Sequence, residues 1–182
     1  MPLTRINNQS LANVTSAGLP SGTVLQIKSA TFADYQDISS TSWTDVSDLT
    51  ISITPTNSNS KFYVIANVCG GATNAGYYGF HVRLARTISN TTTPLQIGNA
   101  WGSRDRCSLS LGQYNSGGSP ITNGTAQTLD SPSTTSAITY KVQFKATQGL
   151  ASHRINGFYN NNDDNSHRPA AASSITVMEI AG

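Results

Sequence analysis

Three histidines, together with many serines and aspartates, are the residues of this chain that could support nucleophilic chemistry. His81, His153 and His167 are each candidate bases for activating a serine hydroxyl. Such a mechanism also needs a device that holds nucleophile and base together, and the chain contains no Gly-x-Ser-x-Gly turn. Because a serine-rich sequence supplies chance candidates freely, we assign no catalytic residue and expect that the protein is not an enzyme.

The acidic cluster at residues 160–165, NNNDDN, is a candidate cation site. A calcium loop needs regularly spaced oxygen ligands and a closing bidentate carboxylate. Here Asp163 and Asp164 are adjacent and no glutamate follows nearby, so a solvated loop with His167 and Arg168 at its tip is favoured. We therefore predict no metal and no other cofactor.

Cys69 and Cys107 are the two cysteines, and they have no metal-type spacing. They are either free thiols or partners in a single disulfide that joins two strands. Free thiols are favoured.

A compact charged triplet, Arg104, Asp105 and Arg106, follows Trp101. One interpretation is a turn with surface ion pairs of small energetic value. The other is a contact with sugar or with a neighbouring subunit, because Trp and Arg are enriched at the energetic centres of interfaces. Trp101, Arg104 and Arg106 are therefore candidate glycan, receptor or subunit contacts.

A second aromatic group, Tyr77, Tyr78, Phe158 and Tyr159, lies beside glycine and asparagine. Such residues serve either core packing or the binding of polar partners. We retain Tyr77 and Tyr78 as further candidate glycan or receptor contacts.

Composition excludes several classes of partner. The net charge is +2, charged residues make up 11% of the 182 residues, and no basic stripe for nucleic acid is visible. No apolar run approaches the about 20 residues of a membrane-spanning helix. Residues 1–20 lack the apolar core of a secretory signal, so none is predicted.

Residues 138–146 carry the clearest structural pattern. Ile138, Tyr140, Val142, Phe144 and Ala146 alternate with polar residues, which predicts a half-buried antiparallel strand. This apolar face should be buried either inside a sandwich or along an oligomer axis.

Short strands separated by turn residues, without an amphipathic helix, predict an all-β antiparallel sandwich of about eight to ten strands. Strands are expected at residues 23–32, 43–46, 49–53, 61–69, 80–85, 95–101, 106–114, 125–129, 138–146, 152–159 and 174–180. Residues 61–69 are apolar on both parities, which is typical of a central strand covered on both faces.

Residues 1–20 precede this pattern and have no regular period. Their scattered apolar residues are Leu3, Ile6, Leu11, Val14 and Leu19. Such a segment is either frayed or an arm that becomes ordered on a partner, and the arm is favoured. We expect an anchoring arm at residues 1–20 and a sandwich domain at residues 21–182.

Several stretches together resemble small β-rich appendage proteins of tailed bacteriophages. They are SLANVTSAGLPSGTVLQ at residues 10–26, SDLTISITPTNSNSKFYV at 47–64, TLDSPSTTSAITYKVQF at 128–144 and SSITVMEIAG at 173–182. The resemblance implies a jelly-roll knob similar to those of C1q and tumour necrosis factor. It also implies a homotrimer on the exterior of the virion, fastened to other tail or capsid proteins by residues 1–20.

Three functions follow as hypotheses. The first is a tail-fibre knob that attaches to the host surface, including its glycans. The second is a capsid decoration protein, or head fibre, anchored by the same arm, which the absence of a shaft or coiled-coil heptads brings into contention. The third is a carbohydrate-binding or hydrolytic module without a structural role.

Overall fold

The computed structural model describes residues 18–72, 79–111, 121–147, 153–158 and 169–182, and within them the chain forms eleven β-strands. The strands are β1 (Val24–Phe32), β2 (Gln36–Ile38), β3 (Thr44–Ile53), β4 (Lys61–Ala72), β5 (Phe80–Ile88), β6 (Thr91–Leu95), β7 (Leu109–Leu111), β8 (Ile121–Asp130), β9 (Ile138–Ala146), β10 (His153–Ile155) and β11 (Ser173–Ile180).

The strands form two antiparallel sheets that pack face to face, so the prediction of an all-β sandwich is confirmed. In sheet A, β11 lies between β1 and β4, and β8 pairs with the other side of β4. Past the end of β11, the last residues of β4 pair with β10, and β10 pairs with β2. In sheet B the order is β3-β9-β5-β6, and β7 pairs with the first part of β5.

The core lies between the sheets and is built by alternation along the strands. In β9 the inward residues Ile138, Tyr140, Val142 and Phe144 are at most 2% exposed. The ring of Phe62 on β4 meets Tyr140 across the sandwich with centroids 5.6 Å apart. The face predicted as core or oligomer axis is therefore inside the sandwich.

Several strand predictions differ from the structure in their bounds. The expected strand at 95–101 does not form, because Gln96 has a positive φ of 48° that turns the chain away from sheet B after β6. The two short strands predicted at 43–46 and 49–53 are one strand, β3, interrupted by a bulge at Asp48 with φ of 57°. Strand β2, which has only three residues, was not predicted.

Asn156 closes one end of sheet A. It is buried with φ of 61°, and its side-chain amide donates to the backbone oxygens of Phe32 and Asp34 at 2.7 and 2.8 Å. Its side-chain oxygen accepts a hydrogen bond from the Ser173 hydroxyl at 2.5 Å. Asparagine tolerates this left-handed conformation, so one residue joins the ends of β1 and β11.

Candidate interaction surfaces

The candidate contact residues Trp101, Arg104 and Arg106 lie in the loop 96–108, which follows β6. Trp101 is 71% exposed, and the Arg104 guanidinium stacks 4.2 Å from the centre of its ring. Arg106 instead donates from Nε to the Gly98 backbone oxygen at 2.6 Å, and so fastens the loop to itself. The structure thus presents Trp101 and Arg104 together as an exposed aromatic and cationic pair, with Arg106 in a structural role.

Several sequence-predicted residues lie outside the described residues. They are the arm residues Leu3, Ile6, Leu11 and Val14, the aromatic residues Tyr77, Tyr78 and Tyr159, the acidic cluster at 160–165, and His167 and Arg168. Of the remaining candidates, Leu19 is half-buried ahead of β1 and Phe158 is buried.

The outer face of sheet A carries a row of apolar side chains across four strands. Ile27 on β1 pairs with Met178 on β11, Met178 pairs with Tyr63 on β4, and Tyr63 pairs with Leu129 on β8. Directly paired residues point to the same face of a sheet, so these four side chains are neighbours. Ile27 is 58% exposed and Leu129 is 54% exposed. We call this set the apolar row.

Uncharged and mostly polar residues continue the same face on one side of the apolar row. The next row is Ser29, Thr176, Ile65 and Gln127, and the one after it is Thr31, Ser174, Asn67 and Thr125. Within β1, β4, β8 and β11, Lys61 is the one charged residue on this face by strand alternation. The face is therefore apolar at one end and hydroxyl- and amide-rich at the other.

Strand β4 was predicted to be covered on both faces, and among the described residues it is covered on one. Its inward residues Phe62, Val64 and Val68 are fully buried, whereas Tyr63 and Ile65 on the outer face are only partly buried. No described element of the chain packs over them. A sequence pattern typical of two-sided burial thus coincides with an open outer face.

Two carboxylates of sheet A point into the sandwich, whereas the third, Asp37 on β2, faces outward and pairs with Arg154 on β10 at 2.6 Å. Asp130, at the end of β8, accepts a hydrogen bond from the buried Tyr140 hydroxyl at 2.7 Å and pairs with Arg86 at 2.6 Å. Burial is the main cause that raises the pKa of Tyr140, and the hydrogen bond to Asp130 adds to it, so this phenol remains protonated.

Glu179 on β11 is the second inward carboxylate, and it is fully buried. It accepts hydrogen bonds from the Gln26 amide at 2.5 Å and from both the backbone N–H and the hydroxyl of Thr56 at 2.7 Å. Burial alone would raise the pKa of Glu179, but the surrounding donors of Ser60, Gln26 and Thr56 outweigh burial, and the net shift is downward. Glu179 is therefore held in its charged form inside the sandwich.

The outer face of sheet B has the opposite character, and we call it the ionic face. Asp45 on β3 accepts from the Gln143 amide at 2.6 Å and pairs with Lys141 at 2.9 Å. Gln143 in turn accepts from Arg83 Nε at 2.9 Å, and the Arg83 guanidinium lies 4.2 Å from the Trp43 ring centre. Side chains of this sheet therefore satisfy one another without a partner molecule.

A second cluster lies where the loop 96–108 meets the ionic face. Asp105 pairs with Lys145 at 2.6 Å, and its other oxygen is 3.9 Å from His81 Nε2. The opposite ring nitrogen of His81, Nδ1, is 3.8 Å from the Cys107 sulfur. The sequence contained these residues, but only pairing of β5, β7 and β9 brings them together.

The two cysteines are free thiols. Cys69 belongs to the outward parity of β4 in sheet A, whereas Cys107 lies over sheet B. The alternative of a disulfide between them is therefore wrong for this structure.

The start of the described chain lies beside its last strand. Gly22 donates its backbone N–H to the Ala181 oxygen at 2.8 Å, and the Ala181 N–H donates to the Thr23 oxygen at 2.8 Å. The first described residues therefore lie at the end of sheet A that carries the apolar row.

Comparisons with known proteins give no relative for this chain. A scan against protein families finds no matching family, and a search of curated proteins finds no match.

Across the part of the chain that the structure describes, no three His, Cys, Asp or Glu side chains converge as metal ligands. The same residues contain no helix with the length and apolarity needed to cross a lipid bilayer.

Proposed function

We propose that this protein is a non-enzymatic structural component of a tailed-bacteriophage particle, displayed as a self-associating knob. The observation that carries the proposal is the apolar row on the outer face of sheet A. A contiguous apolar strip on a folded domain is characteristic of a protein-binding surface. The assignment to a phage particle rests on the sequence resemblance.

The occupant that best fits the apolar row is a second copy of the same face. A surface that packs against itself must avoid like charges, and over β1, β4, β8 and β11 this face has Lys61 at its margin and otherwise hydroxyl, amide and apolar groups. The two-sided apolar pattern of β4 is also explained if another copy covers Tyr63 and Ile65. The resemblance supplies the number of copies, which is three around one axis.

The strand order supports the jelly-roll interpretation of the sandwich. Strands β1, β4, β8 and β11 belong to sheet A, whereas β3, β5, β6 and β9 belong to sheet B. The chain thus crosses repeatedly between the sheets, as in the double Greek key of jelly rolls. In this arrangement the first and last strands lie side by side in one sheet.

The proposed knob is fastened through residues 1–20 and turns its ionic face outward. If sheet A faces the axis, Trp101 and Arg104 are on the side that remains exposed. A stacked Trp and Arg pair is suited to polar ligands such as the sugars of a host surface. Attachment to host glycans through this loop is therefore part of the proposal.

The mass of the full chain in solution tests the self-association. Light scattering coupled to size-exclusion chromatography, at micromolar concentration, is expected to give three times the chain mass of 19.2 kDa. A strictly monomeric species with residues 1–20 intact would overturn the knob proposal.

Labelling the protein on intact particles tests the assignment to a virion and its location. Gold label in a few copies at the tail supports a fibre, and many copies over the head support a decoration protein. Deleting residues 1–19 is expected to abolish particle binding while the circular dichroism spectrum stays that of a folded β-protein. Absence of label from purified particles would overturn the structural role.

A glycan array tests the attachment role separately. Wild-type protein is expected to bind a subset of glycans without product formation, and Trp101→Ala is expected to lose that binding. Asn99→Ala serves as the control on the same loop, because Asn99 is exposed and does not stack on Trp101. Binding that survives Trp101→Ala, or turnover of a glycan, would contradict this part of the proposal.

A further inference from the structure

Cys107, His81 and Asp105 form a chain of three groups with the geometry of a base-assisted thiol. The Cys107 sulfur lies 3.8 Å from Nδ1 of His81, within the range of an S–H···N hydrogen bond. On the far side of the ring, Nε2 is 3.9 Å from an Asp105 carboxylate oxygen. A nucleophile, a base and a carboxylate whose charge favours the protonated base are thus arranged in order.

This site is held by regular structure on three sides. His81 lies on β5, where it pairs with Ser110 of β7 and with Lys145 of β9. The Ser108 N–H donates to the Val82 backbone oxygen at 2.9 Å, which fixes Cys107 beside the strand. The His81 and Asp105 side chains are 19% and 34% exposed, so a small molecule can reach the site.

Cys69 offers an internal comparison. Burial is the main cause that raises the pKa of both Cys69 and Cys107 above that of an ordinary thiol. The two thiols are similarly half-buried, yet the hydrogen bonds of the described residues place a histidine only beside Cys107. Any excess reactivity of Cys107 therefore has to come from its neighbours and not from a larger thiolate population.

We propose that Cys107, His81 and Asp105 form a reactive thiol site that exchanges with small disulfides. The inference is independent of the proposed virion function, because it depends only on this cluster over sheet B.

The exchange step balances without another reactant. The Cys107 sulfur attacks one sulfur of the small disulfide as its proton passes to Nδ1 of His81. A new S–S bond forms, the original S–S bond breaks, and the departing thiolate takes the proton from the imidazolium. During the step Asp105 stabilises the transient positive charge on His81.

The charged groups around His81 set its protonation at rest. Burial is the main cause that lowers the pKa of His81, Asp105 from the loop opposes this, and Lys145 from β9 adds to the lowering. Cys107 itself faces the same ring. The imidazole is therefore neutral at neutral pH and free to accept the thiol proton.

Single-thiol variants isolate the two cysteines. Cys69→Ser leaves Cys107, and Cys107→Ser leaves Cys69, so the rate of reaction with dithiodipyridine is measured for each thiol by absorbance. At pH about 7 we expect Cys107 to react at least about tenfold faster than Cys69, because positioned bases typically accelerate proton transfer by about a hundredfold or more. In urea the two rates are expected to become equal.

The pH dependence separates base assistance from simple access. The Cys69 rate should rise nearly tenfold per pH unit below its thiol pKa, as the thiolate fraction does. The Cys107 rate should depend much less on pH above the lowered pKa of His81, because the neutral imidazole accepts the thiol proton directly. Access changes the size of a rate but leaves its pH slope unchanged.

Substitution of the base completes the test. His81→Gln, made in the Cys69→Ser protein, is expected to lower the Cys107 rate to that of Cys69 and to restore the steep pH slope. If that variant does not fold, Asp105→Asn together with the pH profile of the unmodified site decides the question. Equal rates for the two folded thiols, or a Cys107 slope as steep as that of Cys69, would overturn the proposal.

Discussion

The two outer faces of this sandwich differ in where their charged and apolar side chains lie. The ionic face on sheet B carries Asp45, Gln143, Arg83 and Lys141, which bond to one another. Sheet A turns Glu179 and Asp130 into the sandwich and leaves the apolar row outside. A face that satisfies its own polar groups is complete in one chain, whereas a face that exposes apolar groups gains free energy from a cover.

The positions of charged residues in a sheet therefore indicate an interaction surface as clearly as the positions of its apolar residues do. Both sheets bury a similar inner face, so their inward patterns do not distinguish them. The distinction lies in the outward-facing residues, which in sheet B are closed by ion pairs and a loop and in sheet A are open over β1, β4, β8 and β11. Four predictions test this difference between the two faces.

A charge placed in the centre of the apolar row should have the largest effect. Met178→Glu is expected to weaken self-association at least about a hundredfold, because an unpaired charge buried in an interface costs about 3 kcal/mol or more. Equilibrium sedimentation measures the association constant. Thr50→Glu, an exposed outward position beside Lys141 on sheet B, is the matched control and should leave association unchanged. Equal effects of the two variants would remove the distinction between the faces.

Removal of the central acid of the ionic face should affect folding and not association. Asp45→Ala leaves the nearly buried Gln143 amide without its acceptor, so we expect a loss of about 1–3 kcal/mol in the free energy of unfolding. Lys141→Met removes only the ion pair with Asp45 and should cost less than about 1 kcal/mol. Urea unfolding of both variants checks which one loses more free energy of unfolding. A larger loss for Lys141→Met than for Asp45→Ala would contradict the prediction.

The inward carboxylate of sheet A should make the protein sensitive to acid. The pKa of Glu179 is lower in the folded chain than the ordinary 4.5, so its contribution to stability is present above that value and is lost as pH falls through the folded pKa. Glu179→Gln removes this contribution, and the stability gap between wild type and variant should narrow below pH 4.5. A Glu179→Gln gap that is constant from neutral to acid pH would contradict the proposed charge state.

Raised salt should produce the smallest of the four effects. It should lower the free energy of unfolding through the ionic face, and it should leave self-association through the apolar row unchanged or stronger. Raising NaCl to about 1 M shortens the screening length to about 3 Å and weakens exposed ion pairs. We expect the unfolding free energy to lose less than about 1 kcal/mol, while self-association through the apolar row is unchanged or stronger. Dissociation of the oligomer in high salt would indicate an ionic interface and contradict the assignment to sheet A.

Regular alternation made much of the fold predictable from sequence. The strand predicted at 138–146 has those bounds in the structure, because all of its inward residues are apolar and its outward ones are polar. The strand predicted at 95–101 failed because Leu95, Ile97 and Trp101 alternate correctly but Gln96 adopts a positive φ. Apolar spacing does not report such a local backbone turn.

The candidate surfaces were less predictable, since they depend on pairing between distant segments. Ile27 and Met178 are neighbours in the apolar row although about 150 residues separate them in sequence. The signal that could have revealed the open face was the two-sided apolar pattern of β4, which was interpreted as burial within one chain. Trp101 and Arg104 were found by residue type, whereas the Cys107 and His81 pair required the register of β5 and β7.

The central position of β11 in sheet A has a consequence for how the chain is made. Residues 173–180 fill the gap between β1 and β4, so neither neighbour completes its hydrogen bonding until this segment has left the ribosome. Sheet A therefore completes its pairing only after residues 173–180 have been translated, through contacts of high sequence separation that form slowly. A message truncated before codon 173 would yield a chain with two unpaired strand edges, and such a product is prone to aggregation.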